Sequence, residues 1–446
     1  MMLFSNKDLR KLIIPLIIEQ ILAIGVGMVD TMMISHEGDA AISGVSLVDM
    51  VNHLLITILS ALATGGAVIV SQYIGHRDRA SANRAAGQLI TVTSIISVGI
   101  AAVCLILCKP LLSLLFGAIE ADVMASAVIY FRISALSYPF LAVYNACAAL
   151  FRSMGNSKIS MVVSAGMNIT NALGNALLIF VFDMGVAGAA VATVISQAVS
   201  AVWILRFLMG KQTVLKLKLS NMKLIPSVIL PCLGLGISTF VMVSTESILS
   251  MSFTSSLARY GGDVAVGAMT VLTSINQLIT MPLSGIGQGA QPIISYNYGA
   301  RKFDRVKEAF FCQFGVCVAY TTLFWLMIML FPNVFAGIFT SDAALVDYTA
   351  WALRIFLVCG FSVGFQLSCQ QAFMALGQAK ISLFMALLRK VFLLIPLIFI
   401  LPNFFRNKAF AVFFAEPVSD LTAAAVTTFM FFRFFLKMLR EGKKQQ

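Results

Sequence analysis

Charge is what this sequence has least of. Lys, Arg, Asp and Glu make up 11% of its 446 residues, against about 25% in soluble globular domains. A chain this poor in charge cannot clothe the several water-exposed domains that its length would otherwise predict, and no polar linker separates such domains. Three histidines, His36, His53 and His76, are not spaced as metal ligands. The eight cysteines contain no Cys-x2-Cys pair and fall inside apolar segments, which fits small buried hydrophobes and excludes a disulfide frame or zinc site. A phosphate-binding Gly-rich loop with its Lys, a His-Glu-x-x-His motif and a diphosphate-binding aspartate cluster are all missing. ATP-driven pumping within the chain, metalloprotease chemistry and prenyl transfer are thereby disfavoured. The chain reads as neither an enzyme nor a holder of an organic cofactor.

Apolar residues supply 59% of the chain, and its mean hydropathy is +0.94. With about 20 apolar residues per bilayer span, this content predicts an all-α integral membrane protein of twelve transmembrane helices. Runs between charged or Gly/Pro/Asn-rich breaks place them near 12–35, 42–73, 86–108, 124–151, 158–182 and 186–209, then 226–257, 264–298, 310–333, 347–376, 381–402 and 410–436. The domains predicted are a six-helix lobe over 1–209, a basic linker over 210–225, a second six-helix lobe over 226–436 and a basic tail over 437–446. A signal peptide is disfavoured, because the first apolar stretch is long, carries Glu19 and Asp30, and lacks a clear small-x-small cleavage site.

The formal net charge of +12 is mainly a topology signal. Lys7, Arg10, Lys11, Arg77, Arg79, Arg84, the 211–223 and 301–307 loops and the tail all fall on the side of the termini, and few bases fall on the other. The positive-inside rule makes the terminal side cytoplasmic, which predicts a plasma-membrane protein with both termini inside. No domain is left to bind nucleic acid.

Sliding the sequence by 224 residues aligns Gly38 to Arg77 with Gly262 to Arg301, with twelve identities in forty positions. An offset of 222 pairs Arg132-Ile133 with Arg354-Ile355, and Gly155-Asn-Ser-Lys-Ile-Ser with Gly377-Gln-Ala-Lys-Ile-Ser. Matched Gly, Arg, Asp, Asn and Lys at a nearly constant offset mark an internal duplication. Six spans per half give both halves the same orientation, so they form pseudo-symmetric lobes, as in carriers that work by alternating access.

Ionisable groups in a span cost at least ~2.5–3.5 kcal/mol at the bilayer centre and are functional candidates by default. Five acids fall in the predicted spans: Glu19, Asp30, Asp49, Glu246 and Asp420. Asp420, behind Pro417, reads as interfacial, and Glu19, two turns from the start, reads as structural. Ser164, Asn168, Asn171 and Asn175 form one polar stripe on the fifth helix; facing Asp30, they would make a site for H+ or Na+. The duplication maps Asp30 onto Thr254, so the lobes are not chemically equivalent, and Glu246 becomes the second-lobe acid. Pro282, Gly285, Gly287, Gln288, Gly289 and Pro292 predict a bent or locally unwound eighth helix. Lys and Arg read as almost absent from the spans.

At Val29-Asp30-Thr31, Gly44-Val-Ser-Leu, Gly185-Val-Ala-Gly-Ala-Ala-Val-Ala-Thr, Gln288-Gly-Ala-Gln-Pro-Ile-Ile-Ser-Tyr-Asn-Tyr-Gly-Ala300 and Glu416-Pro-Val-Ser-Asp420, the chain resembles bacterial multidrug and toxic compound extrusion (MATE) transporters over essentially its whole length. The resemblance implies efflux of organic cations or drugs in exchange for H+ or Na+, with Asp30 as the first-helix acid and Asn171 and Asn175 as its fifth-helix partners. One branch of the family has Asp where Asn175 stands. Glu246 corresponds to a seventh-helix acid of some members, while the tenth-helix Asp is replaced by a segment offering only Gln366, Gln370 and Gln371. Thr254, Gln288 and Gln366 are the other second-lobe candidates, and Asp49 is a further one. The expected partners are small organic cations and membrane lipids, around a monomer. A lipid-linked glycan precursor flippase of the same superfamily is the alternative; it would need a cationic cavity for a diphosphate.

Overall fold

The computed structural model describes residues 6–117, 120–210, 213–217, 225–340 and 342–444. Lys211, Lys218 and Lys223 of the basic linker and the last two residues of the tail lie outside them, as do the side chains of Lys7, Arg10 and Lys11. The described residues are helical with no strand, as hydrocarbon demands, because a helix satisfies its backbone groups within itself.

The first compact unit covers Met1–Phe240 and the second Val241–Gln446. In the first, α1 (Asn6–Ile34), α2 (Asp39–Gly75) and α3 (Arg79–Ile106) lead through a short α4 (Cys108–Phe116) to α5 (Ala121–Ala135) and α6 (Tyr138–Ser153). These last two are halves of one span bent by 49°. Next come α7 (Ser157–Asn175), continued by a π-helical turn over Ala176–Val181, and α8 (Gly185–Leu208). The helix α9 (Pro226–Gly299) breaks at Gly262. Beyond it lie α10 (Phe303–Leu330), α11 (Pro332–Gly337), α12 (Ala343–Phe356), α13 (Ser362–Ala375) and α14 (Ala379–Leu387). A π segment over Leu388–Leu394, α15 (Ile395–Ile400) and α16 (Lys408–Lys444) complete the chain. Among the described residues, eight helices are long and apolar enough to cross a membrane, or nine with the bent pair. Each expected span has its helix, and the twelve-helix layout fits once α9 is divided at its break and α12 and α13 are taken as one interrupted span.

The duplication is visible in the backbone itself. Gly38 and Gly262 share a positive φ with extended ψ (99°, 169° and 66°, −165°), a region open essentially to glycine alone. Arg77 and Arg301 both turn left-handed (φ 61° and 55°) after α2 and α9, as do Gly155 and Gly377 (82° and 76°) after α6 and α13. The caps repeat bond for bond: the Asp78 amide donates to Tyr73 O and the Lys302 amide to Asn297 O, at 3.1 and 2.9 Å. Asn156 likewise donates to Phe151 O and Gln378 to Phe373 O, at 2.9 and 2.8 Å. Such 6→1 bonds satisfy the orphan carbonyls of a helix end.

The two cores are filled differently. In the first unit the small residues Ala142, Ala146, Ala148 and Ala149 of α6 are buried, which lets α2, α3, α7 and α8 pack around it. The opening stretch of α9, up to Phe240, belongs to this unit: a Cβ on Gly65 would lie 2.6 Å from the Gly236 amide nitrogen. In the second unit an aromatic core joins α10, α13 and α16, with Phe310 and Phe373 4.5 and 5.0 Å from Phe431, ring centre to ring centre.

Of the bend or unwinding expected around Pro282–Pro292, the unwinding does not occur. Gly262 is the one non-helical residue within α9, and the glycines serve close packing instead, since a Cβ on Gly287 would coincide with the Gln371 carboxamide. Gly262→Ala should therefore cost about 1–3 kcal/mol, read as a lower unfolding temperature of the detergent-solubilised protein. Gly315→Ala, where a Cβ meets open space, should not lower it.

Candidate functional site

Asp30 lies one turn before the end of α1. Asn168, Asn171 and Asn175 lie on one face of α7, which packs against α1 and α8, and the helix widens into its π turn directly after Asn175. Such bulges recur at functional sites because they re-aim side chains. The Asn175 Nδ2 donates to Asp30 Oδ1 at 2.7 Å. Asn171, placed so that both ends of its carboxamide are satisfied, donates to Asp30 Oδ2 at 2.8 Å and accepts from Thr193 Oγ1 at 3.2 Å. Turned over, the same amide donates to Thr193 Oγ1 at 3.2 Å and presents its oxygen toward the carboxylate. Asn175 is 1% exposed, and its Oδ1 is buried without a partner.

This group opens on a cavity of about 1060 Å³, its mouth included, which Asp49, Asn168 and Gln197 also line. Asp49, on α2, accepts from Tyr130 OH at 3.3 Å and from Asn52 Nδ2 at 3.4 Å; Tyr138 OH donates to Asn52 Oδ1 at 2.6 Å. No Lys, Arg or His is among the described lining residues. Asn168 Nδ2 and Gln197 Oε1 are buried there without partners. The cavity thus presents two carboxylates, neutral oxygens and aromatic hydroxyls, a lining that attracts cations and offers an anion no counter-charge.

Of the four-residue stripe, Asn171 and Asn175 bond Asp30 and Asn168 faces the same cavity. Ser164 is buried away from the cavity lining. Glu19 accepts from Tyr144 OH at 3.3 Å and has Arg152 as its charged neighbour, a structural setting. Thr193, Asn52, Tyr130 and Tyr138 were not singled out from the sequence; isolated hydroxyls and amides in apolar helices carry no signal until the helices pack.

The second unit corrects two expectations. Asp420 is not interfacial: it sits in mid-helix in α16, 3% exposed. Nor are the spans empty of bases, because Arg389 and Lys390 occupy the π segment inside the apolar helix Ala379–Asn403. Arg389 donates from Nε to Asp420 Oδ1 at 2.6 Å and from Nη2 to Glu416 Oε1 at 2.9 Å. Glu416 and Asp420, four residues apart, share a face of α16. Lys390 Nζ donates to Glu246 Oε1 at 2.5 Å and to Met242 O at 2.8 Å. The predicted span over 381–402 already contains both bases, which are passed over when Lys and Arg are read as almost absent from the spans; the adjacent pair in the middle of that 22-residue apolar run was the available signal. Thr254 is exposed, and no hydrogen bond joins it, Gln288 or the buried Gln366 to Glu246 among the described residues.

Duplicated six-helix halves with ionisable groups enclosed among their helices define a polytopic helical membrane protein. The family described as MatE matches residues 15–177 and 238–400, and the chain belongs to it. It is 23% identical over 423 residues, 94% of this chain and 93% of the relative, to the multidrug export protein MepA of Staphylococcus saprophyticus. It is 26% identical over 384 residues, 84% of this chain and 82% of the relative, to the uncharacterised transporter YisQ of Bacillus subtilis. A solved structure of MATE in the bent conformation superposes with a TM-score of 0.92 at 20% identity, over 98% of this chain and 97% of that one. The MATE multidrug transporter DinF-BH gives 0.86 at 31% identity, over 96% of each chain.

Removing one member of a buried ion group leaves an uncompensated charge. Arg389→Met strands two carboxylates and should cost about 3–5 kcal/mol, seen as early thermal unfolding in detergent. Lys390→Met should cost less, since the Glu246 side chain is 59% exposed and losing its partner leaves no fully buried charge.

Proposed function

We propose that the chain is a secondary active multidrug exporter of the plasma membrane, monomeric, with cytoplasmic termini, moving organic cations outward in exchange for H+ or Na+. The observation that carries this is Asp30 held between the Asn171 and Asn175 carboxamides at the edge of a cavity with no base in its described lining. When no ion is bound, the amide nitrogens balance the carboxylate. With Asn171 turned over, its oxygen, the unpartnered Asn175 Oδ1 and Asp30 supply an oxygen set that can replace the hydration shell of Na+ or accept from a protonated carboxyl. Cation binding at Asp30 thereby removes negative charge from the cavity and weakens its hold on a cationic substrate. Asp49, on α2, keeps a second carboxylate facing the same space for the substrate's charge.

The relatives, multidrug export proteins among them, support efflux, and the duplicated halves suit alternating access. The flippase alternative needs free cationic groups for a diphosphate. Arg389 and Lys390 are both engaged with carboxylates, which favours the exporter.

Reconstituted in liposomes, the protein should move a fluorescent organic cation when a pH gradient or a Na+ gradient is imposed alone, and whichever gradient works names the coupling ion. Asp30→Asn, inserted at normal level, should fall to the leak rate. Undiminished gradient-driven transport by that variant, or movement with neither gradient, would overturn the proposal.

A further inference from the structure

The ion group of the second unit has one acid too many. Three carboxylates, Glu246, Glu416 and Asp420, face two bases, Arg389 and Lys390. Glu416 and Asp420 are 4% and 3% exposed. Arg389 serves one oxygen of each, but the second oxygen of Glu416, Oε2, is buried without a partner. A bare anionic oxygen in so dry a place is costly, whereas a proton on it balances three acids against two bases. We propose that Glu416 is a proton-binding site, and that an organic cation empties it by displacing Lys390 from Glu246.

The exposures set the direction of that exchange. Glu246 is the open member of its pair, with 59% of its side chain exposed against 11% for Lys390. A cation entering from water therefore reaches Glu246 while Lys390 stays enclosed. The π segment presents its two consecutive bases to different partners, Arg389 to α16 and Lys390 to α9. Lys390 also donates to Met242 O at 2.8 Å, so its freed ammonium remains tethered beside the group and within Coulombic reach of Glu416. With Glu246 neutralised by the substrate, the group would hold one positive charge too many. The Glu416 O–H bond then breaks, its electron pair stays on the carboxylate and the proton leaves to water. One cation has entered, one proton has left, and the charge of the group is unchanged. The groups facing Glu416 are Asp420 on its own helix, Arg389 and Lys390 from the π segment and Glu246 from α9; the Cys359 thiol lies near Asp420.

This step rests on the exporter reading for its substrate but not on Asp30 or Asp49, so it is tested in a background carrying both Asp30→Asn and Asp49→Asn. The probe is tetraphenylphosphonium, whose charge is fixed and which carries no titratable proton, added to purified protein in weakly buffered detergent with a pH indicator. The expected result is a proton released for each cation bound. Glu416→Gln in that background should still bind the probe and release none, and Glu246→Gln should lose both binding and release. Release undiminished in Glu416→Gln overturns the proposal. Infrared spectroscopy reads the resting proton without any substrate: a carboxylic-acid C=O band at neutral pH should be present in the parent and shift in Glu416→Asp, a variant that keeps the acid should Glu416→Gln fail to fold. If the parent shows no such band, the site is wrong. If the band is present but the probe does not bind, the displacement step fails while the proton site stands; the exporter reading is decided separately, by gradient-driven transport with Asp30 and Asp49 intact.

Discussion

Hydrocarbon offers nothing to solvate a charge, so every ionisable side chain within these helices has to be answered by other protein groups or by water in a cavity. The two units meet that constraint in opposite ways. The first surrounds Asp30 with dipoles: two carboxamides and, through Asn171, the Thr193 hydroxyl. Dipoles balance a carboxylate without cancelling it, which leaves the negative charge for an exchangeable ion. The second answers its acids with resident cations, Arg389 and Lys390. A tethered ammonium cannot diffuse away and can only be displaced, so on the reading proposed above the first unit holds a site that is filled and emptied and the second holds one that is switched.

The duplication shows which features were free to change. Backbone break points are kept: the glycines at 38 and 262, the left-handed arginines at 77 and 301, and the caps after α6 and α13. Each fixes where one helix stops and the next starts, and a shift there would misplace a whole span. Side chains facing the interior were not so bound. At the offset of 222, Asn168 of the first unit corresponds to Lys390 of the second, and at 224 Asp30 corresponds to Thr254. Both halves keep a π segment in their fifth helix, although its register differs. The wider turn lets a helix carry polar groups inward without giving up backbone hydrogen bonds.

Much of the fold was legible because spans and breaks are written in local composition. Apolar length gave the helices, and glycine and arginine at a fixed offset gave the halves. Part of the site was legible for the same reason: Asp30 is an isolated acid in an apolar run, and Asn171 and Asn175 share a helical stripe. Asp49 stood out equally as an acid in a span, and Asn52 lies one turn on in the same helix, but its partner Tyr130 becomes visible only when α2 and α5 pack. Arg389 and Lys390, inside the predicted span 381–402, were passed over, and Asp420 was taken for an interfacial charge, because hydropathy marks a charge as out of place without saying what faces it. A base in a span reads as a boundary until its acids arrive from helices 27 and 144 residues away along the chain.

The sequence by itself determined that the chain lives in lipid, that it is two copies of one six-helix plan, and that Asp30 is an isolated acid in an apolar run; each of these depends on residue type and spacing along one strand of chain. Only the tertiary structure decided which polar groups meet. It turned Asn175 and Asn171 onto Asp30, made α16 and a π segment into one ion group, and left a single buried oxygen of Glu416 without a partner. Pairing energies in a low dielectric depend on separations of a few ångströms between helices remote in sequence, and no periodicity along the chain records them.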